Sequence, residues 1–139
     1  MLKMAKRLFT FLAVLCFSLS AQAAEVGIVA TVNNDIVTTH ELEQRMEIAM
    51  SANNIPRIDE ARKQIAPEVL RGLIDDKLRV QAATAAGLKI NDEEIRRGLA
   101  TIAGNNNMSV EQFTDMLRSQ GIEQTALEDQ VRAELAWNK

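Results

Sequence analysis

The sequence is poor in the residues on which most small-protein chemistry depends. Its 139 residues hold one cysteine, one histidine, one tryptophan, two prolines and no tyrosine. The cysteine, Cys16, sits in an N-terminal apolar run, so the rest of the chain can form no disulfide, thiolate metal site or cysteine nucleophile. Beyond residue 23 the aromatics reduce to Phe113 and Trp137, too few for platforms that stack bases or sugars. The six glycines are isolated, so there is no phosphate-cradling loop. No His/Cys/Asp spacing resembles a metal site, and neither a metal nor a cofactor is expected. A hydrolase needs a base, a nucleophile and an oxyanion donor at one place. The single imidazole, His40, lies in the first turn of a helix with no partner in sequence and reads as a surface residue. Asp75-Asp76 and Glu93-Glu94 are neighbours in sequence, so their side chains diverge on a helix and read as solvated faces. No catalytic residue is expected in this chain.

What is present begins with a targeting pattern. Lys3, Lys6 and Arg7 precede an apolar-to-small run over residues 8–20, and Ala21-Gln22-Ala23 supplies small residues at the −3 and −1 positions of a cut after Ala23. This is the pattern of a cleavable secretory signal peptide over residues 1–23, and the run is too short to span a bilayer. Export to the periplasm follows, with no stable membrane insertion after cleavage. Residues 24–139 then form one small domain; 116 residues are too few for a two-domain enzyme. Removing three bases and no acid leaves 13 basic and 19 acidic residues. Such an acidic chain is a poor partner for nucleic acid. Ile, Leu, Val and Phe make up 29 of the 116, enough for a packed core.

The pattern along residues 24–139 is mainly helical. Val26–Val32 and Ile36-Val37 flank Asn33-Asn34-Asp35, which predicts a short hairpin. Thr38 with Glu41 forms a capping box, with Thr39 as a rival cap, for a helix carrying Leu42, Met46, Ala49 and Met50 on one face and fading at Asn53-Asn54. Residues 53–58 read as a loop and Asp59 to Ile65 as a short segment, with Pro67 opening a new helix of about 19 residues that stops at Gly87 and serves as the spine. Asn91 with Glu94 caps a helix bearing Ile95, Leu99, Ile102 and Ala103, ended by Gly104-Asn105-Asn106-Asn107. Ser109 with Gln112 caps another, bearing Val110, Phe113, Met116 and Leu117 and closed by Gly121. A last helix starts near Thr125, with Glu128 as its box partner, and carries Leu127, Val131 and Leu135. Its apolar stripe reaches Trp137 with no stop signal, which predicts a fold incomplete at its C-terminus, with an exposed apolar patch. A helix-turn-helix over residues 92–120 fails on charge, since its second helix offers Glu111, Gln112, Asp115 and Arg118. The remaining feature is Met46, Met50, Met108 and Met116: flexible thioethers suit surfaces that adapt to many apolar partners, and equally fill gaps in a core.

Several of these stretches together resemble the SurA N-terminal domain family of parvulin-linked chaperones. They are Val32-Asn33-Asn34-Asp35-Ile36-Val37-Thr38 running into Glu41-Leu42, the stretch Leu70 to Ala83 with Gly87-Leu88-Lys89-Ile90, the Asn91-Asp92-Glu93-Glu94-Ile95 cap, and Asn107 to Phe113 ending at Gly121-Ile122. The resemblance implies an orthogonal bundle of about five helices with a short N-terminal β-hairpin, like the peptide-binding domains of SurA and trigger factor. It implies an ATP-independent periplasmic chaperone that holds unfolded outer-membrane β-barrel proteins and passes them to the barrel assembly machinery. In the family, parvulin-type prolyl isomerase domains follow, and none is present here, so no isomerase residue carries over. Client contacts in the family are spread over an apolar crevice. Amphipathic position therefore selects Leu42, Met46, Met50, Met108, Phe113 and Met116 as candidate client-binding residues. Two alternatives stay open: a docking domain of a protein that is chiefly a peptidyl-prolyl cis-trans isomerase, and a secreted helical interaction module without chaperone activity.

Overall fold

The structure is a computed structural model, and it describes residues 27–139. The expected signal peptide over residues 1–23 lies outside the described residues. Two strands, β1 (Ile28–Val32) and β2 (Asp35–Thr38), precede five helices: α1 (Thr39–Ala52), α2 (Asp59–Ala85), α3 (Asp92–Asn105), α4 (Val110–Ser119) and α5 (Gln124–Asn138). The mainly helical class with a short hairpin is as the sequence implies. β1 and β2 pair antiparallel, with Val32 opposite Asp35, and Asn33 takes a φ of 57° in the turn. A bulge between Ile28 and Ala30 breaks the alternation. Ala30, Val32 and Val37 consequently pack onto Leu73 of α2, while Ile28, Val29 and Ile36 remain exposed. Gln81 of α2 secures the turn: its Nε2 donates to Val32 O (2.9 Å) and Asp35 Oδ2 (2.6 Å), and its Oε1 accepts from Asn33 Nδ2 (2.7 Å).

The helix ends follow local chemistry. Capping boxes form at Thr38/Glu41, Asn91/Glu94 and Ser109/Gln112, each satisfying backbone N–H groups that the first turn leaves unpaired. Four helices end alike, with a left-handed residue followed by an apolar one whose N–H reaches back to a carbonyl in the last turn. The pairs are Ile55 to Met50 O (2.9 Å), Leu88 to Ala83 O (2.9 Å), Met108 to Ala103 O (3.0 Å) and Ile122 to Leu117 O (2.9 Å). The left-handed residues are Gly87 and Gly121 (φ 76° each), Asn54 (φ 52°) and Asn107 (φ 56°). Gly104, expected among the terminating residues, lies inside α3, and Asn107 makes the turn instead.

Two expectations fail. No break separates Asp59–Ile65 from the helix at Pro67; α2 runs unbroken for 27 residues with Pro67 inside it. A helix-interior proline removes the bond to the carbonyl four residues earlier. That carbonyl belongs to Lys63, and Lys63 and Pro67 are both exposed, so water can satisfy it. The turns before Pro67 are also tied to α1 by the Arg62–Glu47 ion pair. The second failure is at α5, which starts at Gln124 and not behind a Thr125 box. Its N-cap, Glu123, makes no side-chain capping bond. Instead, Glu123 N–H donates to Gln44 Oε1 of α1 (2.7 Å), and Gln44 Nε2 donates to Gly121 O (3.1 Å). A side chain from another helix therefore sets where this one begins.

The longest helix is not the centre. α5 contacts every other helix, whereas α2 packs chiefly on α1, α5 and the hairpin. On the α2 side Ala133 and Ala136 of α5 are buried, and with Ala126 they border two concavities shared with Leu73, Val80 and Ala83 of α2. Its other side joins the main core, where Leu127 and Val131 meet Ile95 and Leu99 of α3, Phe113 and Leu117 of α4, and Ile122. Leu135, expected in that stripe, is half-buried against the same cluster. At the α3–α5 crossing the backbone of Gly98 lies so close that a Cβ there would sit 2.5 Å from Val131 Cγ1. Gly72, inside α2, has nothing within 4 Å of the same construction. Alanine favours a helix over glycine by up to about 1 kcal/mol, whereas overpacking a core costs about 1–3 kcal/mol. Gly72→Ala should therefore raise the denaturation midpoint and Gly98→Ala should lower it. Equal shifts in urea denaturation would show that the crossing tolerates a methyl group.

Candidate functional site

Polar side chains from four segments frame a groove. On α1, Glu47 Oε2 accepts from Arg57 Nε (2.8 Å) in the loop after Ala52, and Glu47 Oε1 pairs with Arg62 at the start of α2. Arg57 Nη2 donates to Gln120 Oε1 (3.0 Å) at the end of α4, and Ser51 Oγ of α1 donates to the same oxygen (2.6 Å). Inside this frame the chain leaves a groove of about 840 Å³. Its walls are Ile48 and Met50 of α1, Ile55 of the loop, Ile102 of α3, Phe113, Met116 and Leu117 of α4, and Leu127 and Gln130 of α5. Ser51, Asn54, Arg57, Asn106 and Gln120 also line it, so polar groups alternate with aliphatic, aromatic and thioether ones, and the volume is that of a ligand-holding concavity. Its apolar wall, with the flexible thioether of Met116, can hold side chains of varied shape.

Three of the six expected residues, Met50, Phe113 and Met116, come together here. Met50 and Phe113 are mostly wall, being 1% and 7% exposed, while Met116 is half-buried and presents more of its side chain. The other three lie elsewhere. Leu42 packs under the hairpin, Met46 is buried beneath α1, and Met108 is half-buried against the main core. The periodic face of α1 thus points inward, and only its C-terminal turn reaches the groove. Ile48, Ile55, Ile102 and Gln130 were not selected from sequence. Ile102 was visible in the α3 stripe, but nothing local marks Ile55 or Gln130.

A second concavity, of about 220 Å³, lies between the hairpin, α1, α2 and α5 and is charged. Its side chains are committed to one another: Lys77 Nζ to Glu41 Oε1 at 2.9 Å, Arg45 Nη1 to Asp76 Oδ2 at 2.7 Å, and Arg132 to Asp129. Asp76, expected in a solvated face, is only 15% exposed, whereas its neighbour Asp75 is exposed. About 100° of helical rotation separates them, and Arg45 and Arg79 both meet Asp76. The Lys77–Glu41 and Arg45–Asp76 pairs join α1 to α2, and the Arg132–Asp129 pair lies within α5. His40 is exposed with its Nε2 3.2 Å from Glu123 Oε1. Among the described residues no cluster of His, Cys, Asp and Glu could hold a metal ion, and no helix is long and apolar enough to cross a membrane.

Electrostatics keeps the groove framed. Burial pushes the Glu47 carboxyl up, but the hydrogen bonds and charges of Arg57 and Arg62 more than offset this and hold it below the usual carboxylate range. A carboxylate depressed in the folded state stabilises the fold above its ordinary range, and the contribution disappears as pH falls through the folded value. Glu47→Gln should therefore cost about 2 kcal/mol at pH 7. The difference should shrink as pH falls below the ordinary glutamate range, about 4.3, and vanish only below the lowered folded value. Urea denaturation at pH 7 and at successively lower pH checks this, and a pH-independent difference would mean that Glu47 acts through packing and not charge.

Comparison with known proteins places this architecture. The profile described as the SurA N-terminal domain matches residues 26–139. The chain is similar to the protein named Chaperone SurA of Pseudomonas fluorescens, at 36% identity over 132 residues, covering 89% of this chain and 30% of that one. It is similar to Chaperone SurA of Pseudomonas syringae pv. syringae, at 34% over 114 residues (78% and 26%). For Chaperone SurA of Methylobacillus flagellatus the figures are 33% over 128 residues (86% and 28%). The chain spans between a quarter and a third of the length of these relatives.

Proposed function

The chain belongs to the SurA N-terminal domain family, and we propose that its domain is the client-binding part of an ATP-independent periplasmic chaperone for unfolded outer-membrane β-barrel proteins. The groove bounded by Met50, Phe113 and Met116 carries this reading. Unfolded barrel precursors alternate apolar and polar residues, so a holder must accept many apolar side chains, each weakly, and release them without nucleotide hydrolysis. An adaptable groove with apolar walls does that. Delivery to the barrel assembly machinery, and export by a signal peptide cut after Ala23, complete the proposal.

A second reading, the docking domain of a larger prolyl isomerase, draws on one observation. At the ends of α2 and α5, Leu88 and Trp137 are 38% and 71% exposed, and Trp137 is covered only partly by the Arg79 guanidinium, 5.3 Å from the ring centroid. An adjoining domain would cover such a surface.

Binding of a fluorescent peptide from an unfolded barrel protein, followed by anisotropy, tests the first reading. Met116→Ser should weaken binding several-fold at a smaller cost in stability than Met50→Ser, because Met116 is only partly buried where it borders the groove. Met50→Ser, at a position 1% exposed, should cost about 2–5 kcal/mol of stability. A protein that binds no unfolded peptide, or a Met116→Ser variant that binds as the parent does, would remove the support the groove gives.

A further inference from the structure

Gln130 lies on α5 one turn after Leu127, and both line the groove. Its Oε1 is sealed from solvent and has no hydrogen-bond partner. Asp76 Oδ2 also lacks a well-directed hydrogen bond, but Arg45 Nη1 is 2.7 Å away and compensates its charge. Gln130 Oε1 has no such neighbour among the described residues. The groove's other glutamine is saturated, since Gln120 Oε1 accepts from both Ser51 and Arg57. An orphaned buried carbonyl weakens a fold, and methionine or leucine would fill nearly the same space without it. Stability alone therefore does not account for a glutamine in this wall.

We propose that Gln130 is a specificity-determining residue of the groove: its side-chain carbonyl accepts a backbone N–H from an extended polypeptide segment whose apolar side chain seats against Phe113 and Met116. The inference rests on the client-binding reading above and deepens it. The lining selects the occupant. Apolar walls take an aliphatic or aromatic side chain, and a lone acceptor calls for a donor. An unfolded segment carries one unused N–H per residue, whereas a helix or a folded sheet has already paired them. A lipid or detergent chain would satisfy the walls but not the carbonyl. Three side-chain torsions and the adjoining groove volume let the Gln130 carboxamide turn from its buried position to meet the donor.

The test uses a labelled unfolded peptide of alternating apolar and polar residues, together with versions N-methylated at one backbone position at a time. Binding to the parent protein and to Gln130→Met is measured by anisotropy, with melting temperature recorded alongside. Gln130→Met should melt roughly 4 °C higher. It should bind the unmodified peptide about tenfold more weakly, equivalent to about 1.4 kcal/mol. N-methylation at one position should weaken binding to the parent by a similar factor and leave binding to Gln130→Met unchanged. Equal affinities of parent and variant, or N-methylation that affects both alike, would overturn the role of Gln130 while leaving the groove as the client site. Failure of the parent to bind the unmodified peptide would overturn the client-binding reading, and this inference with it.

Discussion

The close approach of α5 to its neighbours is the constraint on which the remaining architecture depends. A helix can contact four others only if parts of its surface are nearly flat. α5 achieves this with the buried Ala133 and Ala136 toward α2, and with the bare backbone of Gly98 opposite Val131 at the α3 crossing. Small residues along these seams bring backbones together, and Leu127 and Val131 close the main core between them. The hairpin forms a smaller, separate cluster on α2, since two short strands cannot hold themselves together in water.

The groove is the space left where this packing is least regular. α1 ends at Ala52 and α2 begins at Asp59, and the loop between them arches over the ends of α3 and α4 without filling the gap beneath. The Glu47–Arg57–Gln120–Ser51 network holds the arch in place from outside. Rigidity and adaptability are thus divided between groups of different chemistry. Directional hydrogen bonds fix the rim, and non-directional contacts with Met116 and the aliphatic walls leave the interior able to accept different shapes. Such a division suits recognition of chains that share an apolar character but no sequence.

Gln130 also shows how stability and function can pull apart at one position. Its unpaired carbonyl is among the few places where the described residues break the rule that buried polar atoms find partners. In the charged concavity Asp76 Oδ2 also lacks a hydrogen bond, but a facing cation compensates it. Arg45 and Asp76 are both largely buried and face each other, and Glu41 serves at once as the capping partner of Thr38 and the ion-pair partner of Lys77. Groups satisfied in this way stiffen a scaffold. One left unsatisfied beside an open groove is available to a ligand.

The sequence by itself determined the helix boundaries that local chemistry sets. Thr38, Asn91 and Ser109 start helices because their oxygens meet N–H groups three residues on. Gly87 and Gly121 end helices because the chain must turn left-handed there, and the asparagines after α1 and α3 do the same. These interactions span a few residues, so their signals lie side by side in the chain. Only the tertiary structure decided the passage of α2 through Pro67, the start of α5 at Gln124, the inward turn of Met46, and the meeting of Met50, Phe113, Met116 and Gln130 around one groove. They involve groups separated along the chain: Arg62 and Glu47 by 15 residues, Glu123 and Gln44 by 79, and Gln120 and Ser51, which tie α4 to α1, by 69. Helical periodicity shows that a face is apolar, but it carries no record of what that face meets. Whether such a face becomes core or crevice is settled by how closely its neighbours approach, and here that distance is set by the alanines and Gly98 that let α5 into the centre.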